Sequence, residues 1–541
     1  MSEIKTCPAE IFINQLGYKP RGEKRAVMPF PCEAFSLCDK NGNTVYEGKA
    51  THFGYDESSG DDVYIADFSD FCEAGEYTVK SGERKSLCFR IDEGIYDKAL
   101  HDISKAFYFL RCGCDLREEY GGAYIHPKCH TSLAHAQNDR EYAKDVSGGW
   151  HDAGDYGRYV TSGAITVAQL LYAFIMFPES FKGQNLNIPE SNNGIPDILN
   201  ECKYELSWLL KMQREDGGVW HKCTTLTHAP FIMPQDDNNE LLLFNVSSSA
   251  TADFAAVCAL ASRVFEDYDG QFADTLLFAA LKSYEWLRLN PELIGFENPE
   301  GCNTGIYGER SDTDNRFWAS CEIYALTGDK KYHQDLLDLS QNIPFCEFGH
   351  SDVGGFGALS YILCNREKDD YLLSRIKNDF TLTAGFLAER SDSCGYGVAM
   401  FDGQYCWGSN LIVMKNAMIY IVADYLSGEN KYEKYAARQL NYLFGVNALG
   451  YSYVSGHGDF AVKNLHLRTT IADGIEDCFP GLVSGGPNAS HSDYVAKTLL
   501  SPDEKPMKCF IDSIECYSLN EVAIYWNSSA IFVLAWHKDK T

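Results

Sequence analysis

The chain contains no run of Lys or Arg, and its 47 basic residues stand against 76 acidic ones, for a formal net charge of -29. Nucleic acid is disfavoured as a partner, because phosphate binding needs a basic face. Anionic membrane surfaces are disfavoured for the same reason, whereas a neutral ligand such as a sugar meets no repulsion. No apolar stretch reaches the roughly 20 residues that span a bilayer. The N-terminal stretch, MSEIKTCPAEIFINQLGYKP, has no basic segment leading into an apolar one, so no secretory signal is visible. No short internal repeat or low-complexity segment stands out. The 20 cysteines are scattered. Without an export signal they read as buried or reduced thiols, which points to a cytoplasmic protein.

What is present is globular: 45% of residues are hydrophobic and 23% charged. A chain of 541 residues exceeds one ordinary domain but suits a large helical barrel with a small added module. From residue 10 to about 92, short apolar runs alternate with turn signals. IFINQLG, KRAVMPF, AFSLCDKNGNTVYEG, VYIADFS, GEYTVK and KSLCFRI read as strands, with KNGN as a hairpin turn. That pattern predicts a small β-sandwich over residues 1–92. From EGIYDKALHDISKAFYFLR onward, apolar residues recur at i, i+3, i+4 and i+7 in one long segment after another. Several segments are apolar nearly all round, as the inner helices of a two-layer helical barrel over 93–541 would be. The segments are separated by long loops rich in Gly, Asp and aromatics, and long loops in a compact domain are usually functional.

Three stretches carry chemistry. In GGWHDAGDYGRYV, Asp152 and Asp155 lie three residues apart among Trp150, His151, Tyr156 and Tyr159. A bare DxxD is most often a capping or solvated pair. Beside aromatics it suits a sugar, whose C–H faces stack and whose hydroxyls hydrogen-bond, and two carboxylates can position and deprotonate one water. In YSLNEVAIYWNSSA, Glu521 opens a very apolar final helix. It reads either as a first-turn Glu favoured by the helix dipole or as a buried carboxyl kept protonated as a general acid. An acid facing water-activating carboxylates is what an inverting glycosidase requires. Third, Cys112, Cys129, His130 and His151 form a possible Cys2His2 metal set, with Cys114 and His126 as rival ligands.

These pieces together resemble glycoside hydrolase family 9, the inverting β-1,4-glucanases with an (α/α)6 barrel, over nearly the whole chain. FINQLGYKP is similar to the start of the immunoglobulin-like module that precedes the barrel in one subgroup. SGGWHDAGDYGRYV matches the family's most specific motif, and DGGVWHK, TADFAAVCALASRVF, RFWASCEIYALTGD, NYLFGVNALGYSYVSG, PGLVSGGPN and NEVAIYWN follow in family order. The resemblance implies a mainly α fold, an (α/α)6 barrel behind an immunoglobulin-like sandwich. It implies that Asp155 is the general base, that Asp152 helps to hold the water, and that Glu521 is the general acid. It further implies that Cys112, Cys129, His130 and His151 bind a structural zinc that braces the catalytic loop. Trp150, Tyr156, Trp407, His466, Arg468 and Tyr517 are candidate sugar contacts, Trp407 the weakest because YCWGSN could simply open a core helix.

The chain departs from the family at several points. KNLHLR has Leu467 where a second histidine is usual, and Tyr525 stands where a smaller polar residue is common. ERSDTDNRFW resembles a calcium-binding loop, but Asn315 occupies a position where a carboxylate is common. The expected substrate is a β-1,4-glucan or short cellodextrin, cleaved with inversion. The alternatives are an exo-acting β-glucosaminidase or β-glucosidase on the same scaffold, and a non-catalytic sugar-binding protein. Retention of all three carboxylates disfavours the last.

Overall fold

The computed structural model describes residues 5–540. Two compact units divide the chain. One comprises the residues through Ala106, Leu382–Thr470 and Gly474 onward; the other comprises Phe107–Thr381 with Ile471–Asp473. Among the described residues no helix is long and apolar enough to cross a membrane.

Among the described residues the first unit begins with nine strands: β1 (Gly17–Tyr18), β2 (Arg25–Met28), β3 (Ala34–Asp39), β4 (Thr44–Lys49), β5 (Thr51–Asp56), β6 (Asp61–Asp67), β7 (Gly75–Ser81), β8 (Arg84–Lys85) and β9 (Phe89–Ile91). One sheet runs β1-β9-β7-β3-β4 with β8 on β7, and the other runs β2-β6-β5. Phe35 and Leu37 of β3 and Tyr77 and Val79 of β7 alternate inward, and they join Met28, Ala66, Phe68 and Phe89 in one core. The KNGN signal is a hairpin turn: the Asp39 carboxylate accepts the backbone N–H groups of Asn41 and Asn43 at 2.9 and 2.8 Å. IFINQLG differs from the expected strand, giving only bridges at Ile11 and Phe12 and then the two-residue β1. Conversely β5, largely exposed and without clean alternation, is not marked by hydrophobicity.

Side chains before and after β1 tie the sandwich to helices of the same unit. Asn14 donates to Asn441 Oδ1 at 2.9 Å and to the Tyr96 hydroxyl at 2.7 Å. Arg438 grips Glu23 through two 2.6 Å bonds. Helix Ser409–Ser427 packs on Glu433–Leu443 and on Ile524–Asp539, each presenting wide buried faces.

The second unit is built on helices Val160–Met176, Asp197–Met212, Ser248–Phe265, Gly270–Leu289, Thr313–Thr327, Lys330–Leu339 and Gly354–Leu363. Ser248–Phe265 is buried along most of its length and packs against Val160–Met176, Gly270–Leu289 and Thr313–Thr327. Small residues such as Ala252, Ala255, Ala256 and Ala259 allow that close approach on several sides. The unit also holds a five-stranded sheet outside the sequence expectation. It contains β10 (Ala134–Ala136), β11 (Asp139–Lys144), β12 (Arg158–Tyr159), β13 (Lys222–Thr224) and β14 (Leu242–Leu243), in the order β11-β10-β14-β13-β12. Strands of two to six residues carry too little alternation to be read from sequence.

Candidate active site

The DxxD loop lies in the second unit. Its entry requires glycine: Gly149 has φ +75°, and a Cβ there would lie 2.8 Å from Trp208. The backbone N–H of Trp150 donates to Glu205 Oε2 at 2.7 Å, and its indole donates to Glu201 Oε2 at 3.3 Å. Trp150 is 1% exposed and packs on Phe107, so it is not the sugar platform expected of it. Burying a large ring whose N–H has an internal acceptor is favourable, and that anchors the loop. The loop is closed by a bond from the Asp152 N–H to the Gly157 carbonyl at 3.0 Å.

Both carboxylates are buried and hydrogen-bonded. Asp152 accepts from the Ser162 hydroxyl and, at 2.6 Å, from the Tyr307 hydroxyl. Burial, then the charge of Asp155, pushes Asp152 up to about 7 despite those two bonds. Asp155 Oδ2 accepts from the Tyr159 hydroxyl at 2.9 Å and faces His228 Nδ1 at 3.4 Å. Tyr159 and Tyr307 meet edge to face at 4.9 Å. Tyr307 holds φ +46°, a region few side chains enter, so its hydroxyl position is enforced by its surroundings.

Behind the loop, one donor atom from each of Cys112, Cys129, His130 and His151 lies within 4.8 Å of the others, all buried. Cys129 Sγ is 3.8 Å and His130 Nδ1 3.4 Å from His151 Nε2. A tetrahedron with metal–ligand bonds of about 2.0–2.3 Å has edges of roughly 3.3–3.8 Å, so the set fits a four-coordinate ion. His130 Nε2 meets Asp237 Oδ2 at 3.3 Å, the carboxylate support usual for a ligating imidazole. Burial raises the Cys112 thiol, but the Cys129 thiol and the Arg158 guanidinium outweigh it and hold Cys112 low. The rivals fall outside: Cys114 is not a member, and His126 turns its Nδ1 to the Pro127 carbonyl. Tyr156 is a second correction. Its ring is buried against His130 and His151 and its hydroxyl donates to the Ile232 carbonyl at 2.6 Å, so it braces the cluster instead of facing a sugar.

Glu521 lies in the first unit. It is not in the first turn of the last helix, which starts at Ile524. It follows the short helix Tyr517–Asn520 and bridges to His466. Asn520 donates to Asp512 Oδ1 at 2.9 Å and accepts from Ser484, pinning the residue before Glu521. The Trp407 indole donates to Glu521 Oε2 at 3.0 Å. Trp407 is 45% exposed and sits 5.4 Å from Tyr517, which in turn lies 5.8 Å from His466. Four of the named residues, Trp407, His466, Tyr517 and Glu521, are thus brought together, and the aromatic face beside the carboxyl is open. Arg468 is buried at the start of helix Arg468–Ala472.

Sequence reasoning missed Ser162, His228, Asp237 and Tyr307. His228, Asp237 and Tyr307 are lone polar residues far along the chain from their partners, and Ser162, ten residues from Asp152, lies in a helical segment with nothing local to mark its hydroxyl. In the calcium-like loop, the Asn315 amide donates to Asp253 Oδ1 at 2.9 Å and Glu309 Oε1 at 3.3 Å. Burial raises both acids toward their neutral forms. The second oxygens of these groups, Asp253 Oδ2, Glu309 Oε2 and Asn315 Oδ1, are buried and make no hydrogen bond among the described residues.

Carboxylates held beside hydroxyls on one loop, and a further carboxyl beside exposed aromatic rings, are the equipment of sugar hydrolysis. With the helical fold and its sandwich they define a glycoside hydrolase of the (α/α)6-barrel class. Residues 96–534 match the model of glycosyl hydrolase family 9, and residues 7–86 match the cellulase N-terminal ig-like domain. The chain belongs to glycosyl hydrolase family 9. It is 43% identical to a cellodextrinase of Butyrivibrio fibrisolvens, over 97% of this chain and 99% of that one. A single mutant of a thermostable endoglucanase from Alicyclobacillus acidocaldarius has a similar structure, with TM-score 0.92 and 33% identity over 98% of this chain and 100% of that one. So does a Zn-binding triple mutant of a family 9 endoglucanase, with TM-score 0.90 and 32% identity over 96% and 99%.

Proposed function

We propose that the chain hydrolyses β-1,4-glucosidic bonds in cellodextrins and soluble β-glucans, with inversion at the anomeric carbon. Asp155 takes a proton from the attacking water, Asp152 helps to orient that water, and Glu521 protonates the leaving oxygen. The observation that carries this reading is the Asp152–Asp155 pair. Three hydroxyls position the two carboxylates: Ser162 and Tyr307 on Asp152, Tyr159 on Asp155. Trp407 and Tyr517 offer an aromatic surface beside Glu521 for stacking a pyranose ring. Similarity to a cellodextrinase and to endoglucanases supports a β-1,4-glucan substrate.

The ion that suits Cys112, Cys129, His130 and His151 is zinc. When bound it supplies rigidity and not Lewis acidity, because four protein ligands leave no open position. His151 adjoins Asp152, and the His151 N–H donates to the Leu110 carbonyl at 2.8 Å. The cluster therefore fixes the start of the catalytic loop.

Proton NMR of cellotetraose hydrolysis, read before mutarotation, tests the mechanism. An initial α-anomer is expected. An initial β-anomer would mean a retaining double displacement and would remove the role given to Asp155.

A further inference from the structure

Lys222 is a lysine with no exposed surface, although lysine is among the residues least often buried. It is the first residue of β13 and the direct cross-strand partner of Tyr159 in β12. Its ammonium donates to Asn298 Oδ1 at 2.7 Å, Thr304 Oγ1 at 2.9 Å and the Gly305 carbonyl at 2.6 Å, with Cys302 Sγ at 3.9 Å. Three ring faces enclose it, Phe244 at 4.6 Å, Phe296 at 5.3 Å and Tyr159 at 5.6 Å. The oxygen acceptors are an amide, a hydroxyl and a carbonyl, none of them an anion. Burial pushes the ammonium down to about 8, a sign that its charged form is costly where it sits.

A buried cation solvated by neutral dipoles and rings needs a reason, and its neighbours point toward Asp155. The Gly305 N–H donates to the Tyr159 hydroxyl oxygen at 2.9 Å, and that hydroxyl donates to Asp155 Oδ2 at 2.9 Å. Gly305 approaches the tyrosine so closely that a Cβ would lie 3.1 Å from its ring, so no larger residue fits without displacing the ring. The Asn298 amide, whose oxygen accepts from Lys222, donates to the Thr304 carbonyl at 2.6 Å, and that carbonyl shares its peptide group with the Gly305 N–H, so every link donates in the same sense, from ammonium to amide, from amide to peptide, from peptide to phenol, from phenol to carboxylate. The charged and titratable groups facing Asp155 are Tyr159, His228 and Asp152, with Lys222 behind the tyrosine. Asp152 opposes ionisation of Asp155 when charged, and Lys222 is the buried cation on the other side of that balance.

We infer that Lys222 is a positioning residue that acts through Gly305 and the Tyr159 hydroxyl to hold Asp155 in place and ionised. The inference rests on Asp155 being the base of the proposed reaction. Lys222→Met keeps the length and packing of the side chain and removes the charge. The acidic limb of kcat/KM against pH on cellotetraose should then move up by about one unit, lowering kcat/KM roughly tenfold on that limb. KM should change little. A purely structural loss would scale the whole profile without moving the limb. In a Tyr159→Phe background the Lys222→Met effect should largely vanish, because the relay is already cut.

If Lys222→Met does not fold, Thr304→Val removes one acceptor of the ammonium and should move the limb in the same direction by less. A folded Lys222→Met, or in its absence a folded Thr304→Val, with the wild-type limb overturns the inference. Asp155→Asn separates the two claims. If it is inactive while Lys222→Met is silent, only the role of Lys222 fails. If Asp155→Asn still hydrolyses, the base assignment fails and takes this inference with it.

Discussion

The proposed reaction gives Glu521 and Asp155 different chemical duties, and the surroundings of the two carboxyls differ. Asp155 has a phenolic donor and a histidine on one oxygen; Glu521 has an indole donor and an open aromatic face. Glu521→Gln should lower kcat/KM on cellotetraose by roughly 10²–10⁴, the usual worth of general acid assistance. The loss should be much smaller on an aryl cellobioside whose leaving group needs no proton. Equal losses on both substrates, measured by initial rates, would remove the acid assignment. Tyr307 makes a second case. Tyr307→Phe deletes one donor to Asp152, a bond to a buried carboxyl worth about 1.5–3 kcal/mol. A fall in kcat of about tenfold or more is expected with little change in KM, read by steady-state kinetics, together with a lower melting temperature, read by calorimetry.

Among the elements, helix Asp97–Phe109 shows how a charged residue secures a packing surface. Asp102 in its middle meets His101 Nδ1 at 2.9 Å, His457 Nε2 at 3.2 Å and Lys98. Burial raises its carboxyl, but the bonds from His101, His457 and Lys98 outweigh it and hold Asp102 well below the usual carboxylate range. A carboxyl depressed in the folded state gives stability that is complete above its unfolded value, about 3.9, and is lost as pH falls through the lower folded value. Asp102→Asn should therefore destabilise the protein at pH 7 by roughly 1–3 kcal/mol. The gap from wild type should narrow as pH falls below 4. Thermal scans from pH 7 to pH 3 test this, and a gap that stays constant would show that charge is not the source.

At the scale of the whole molecule, the Cys2His2 cluster gathers residues 112, 129, 130 and 151 into one buried group beside the DxxD loop. Purified protein should carry about one zinc per chain by elemental analysis, as one closed Cys2His2 set requires. Prolonged chelation, or Cys129→Ser, should lower the melting temperature first. Activity should follow only as the loop loosens, with product distribution from cellotetraose unchanged. Protein purified without chelators and found free of metal would refute the assignment.

The class of fold was legible because its signals are local and repeated. Period-two alternation with the KNGN turn marks the sandwich, and near-continuous apolar helices such as Ser248–Phe265 mark the barrel, whose class the family match bears out. The DxxD carboxylates and the four Cys and His side chains that the structure clusters were legible too, since they lie within 44 residues of one another and are of unusual types. Burial was not legible. Trp150 and Tyr156 look like sugar platforms in a string of residues, yet their rings fill the space behind the loop, because exposure depends on what packs from elsewhere. The same holds for Tyr307, which reaches Asp152 across 155 positions, and for Lys222, which meets Tyr159 only once two short strands pair. The sequence by itself determined which elements form and which acids are available, since propensity, periodicity and residue type are properties of neighbours along the chain. The tertiary structure decided which hydroxyls, rings and charges surround those acids, because hydrogen bonds and electrostatic fields act through space.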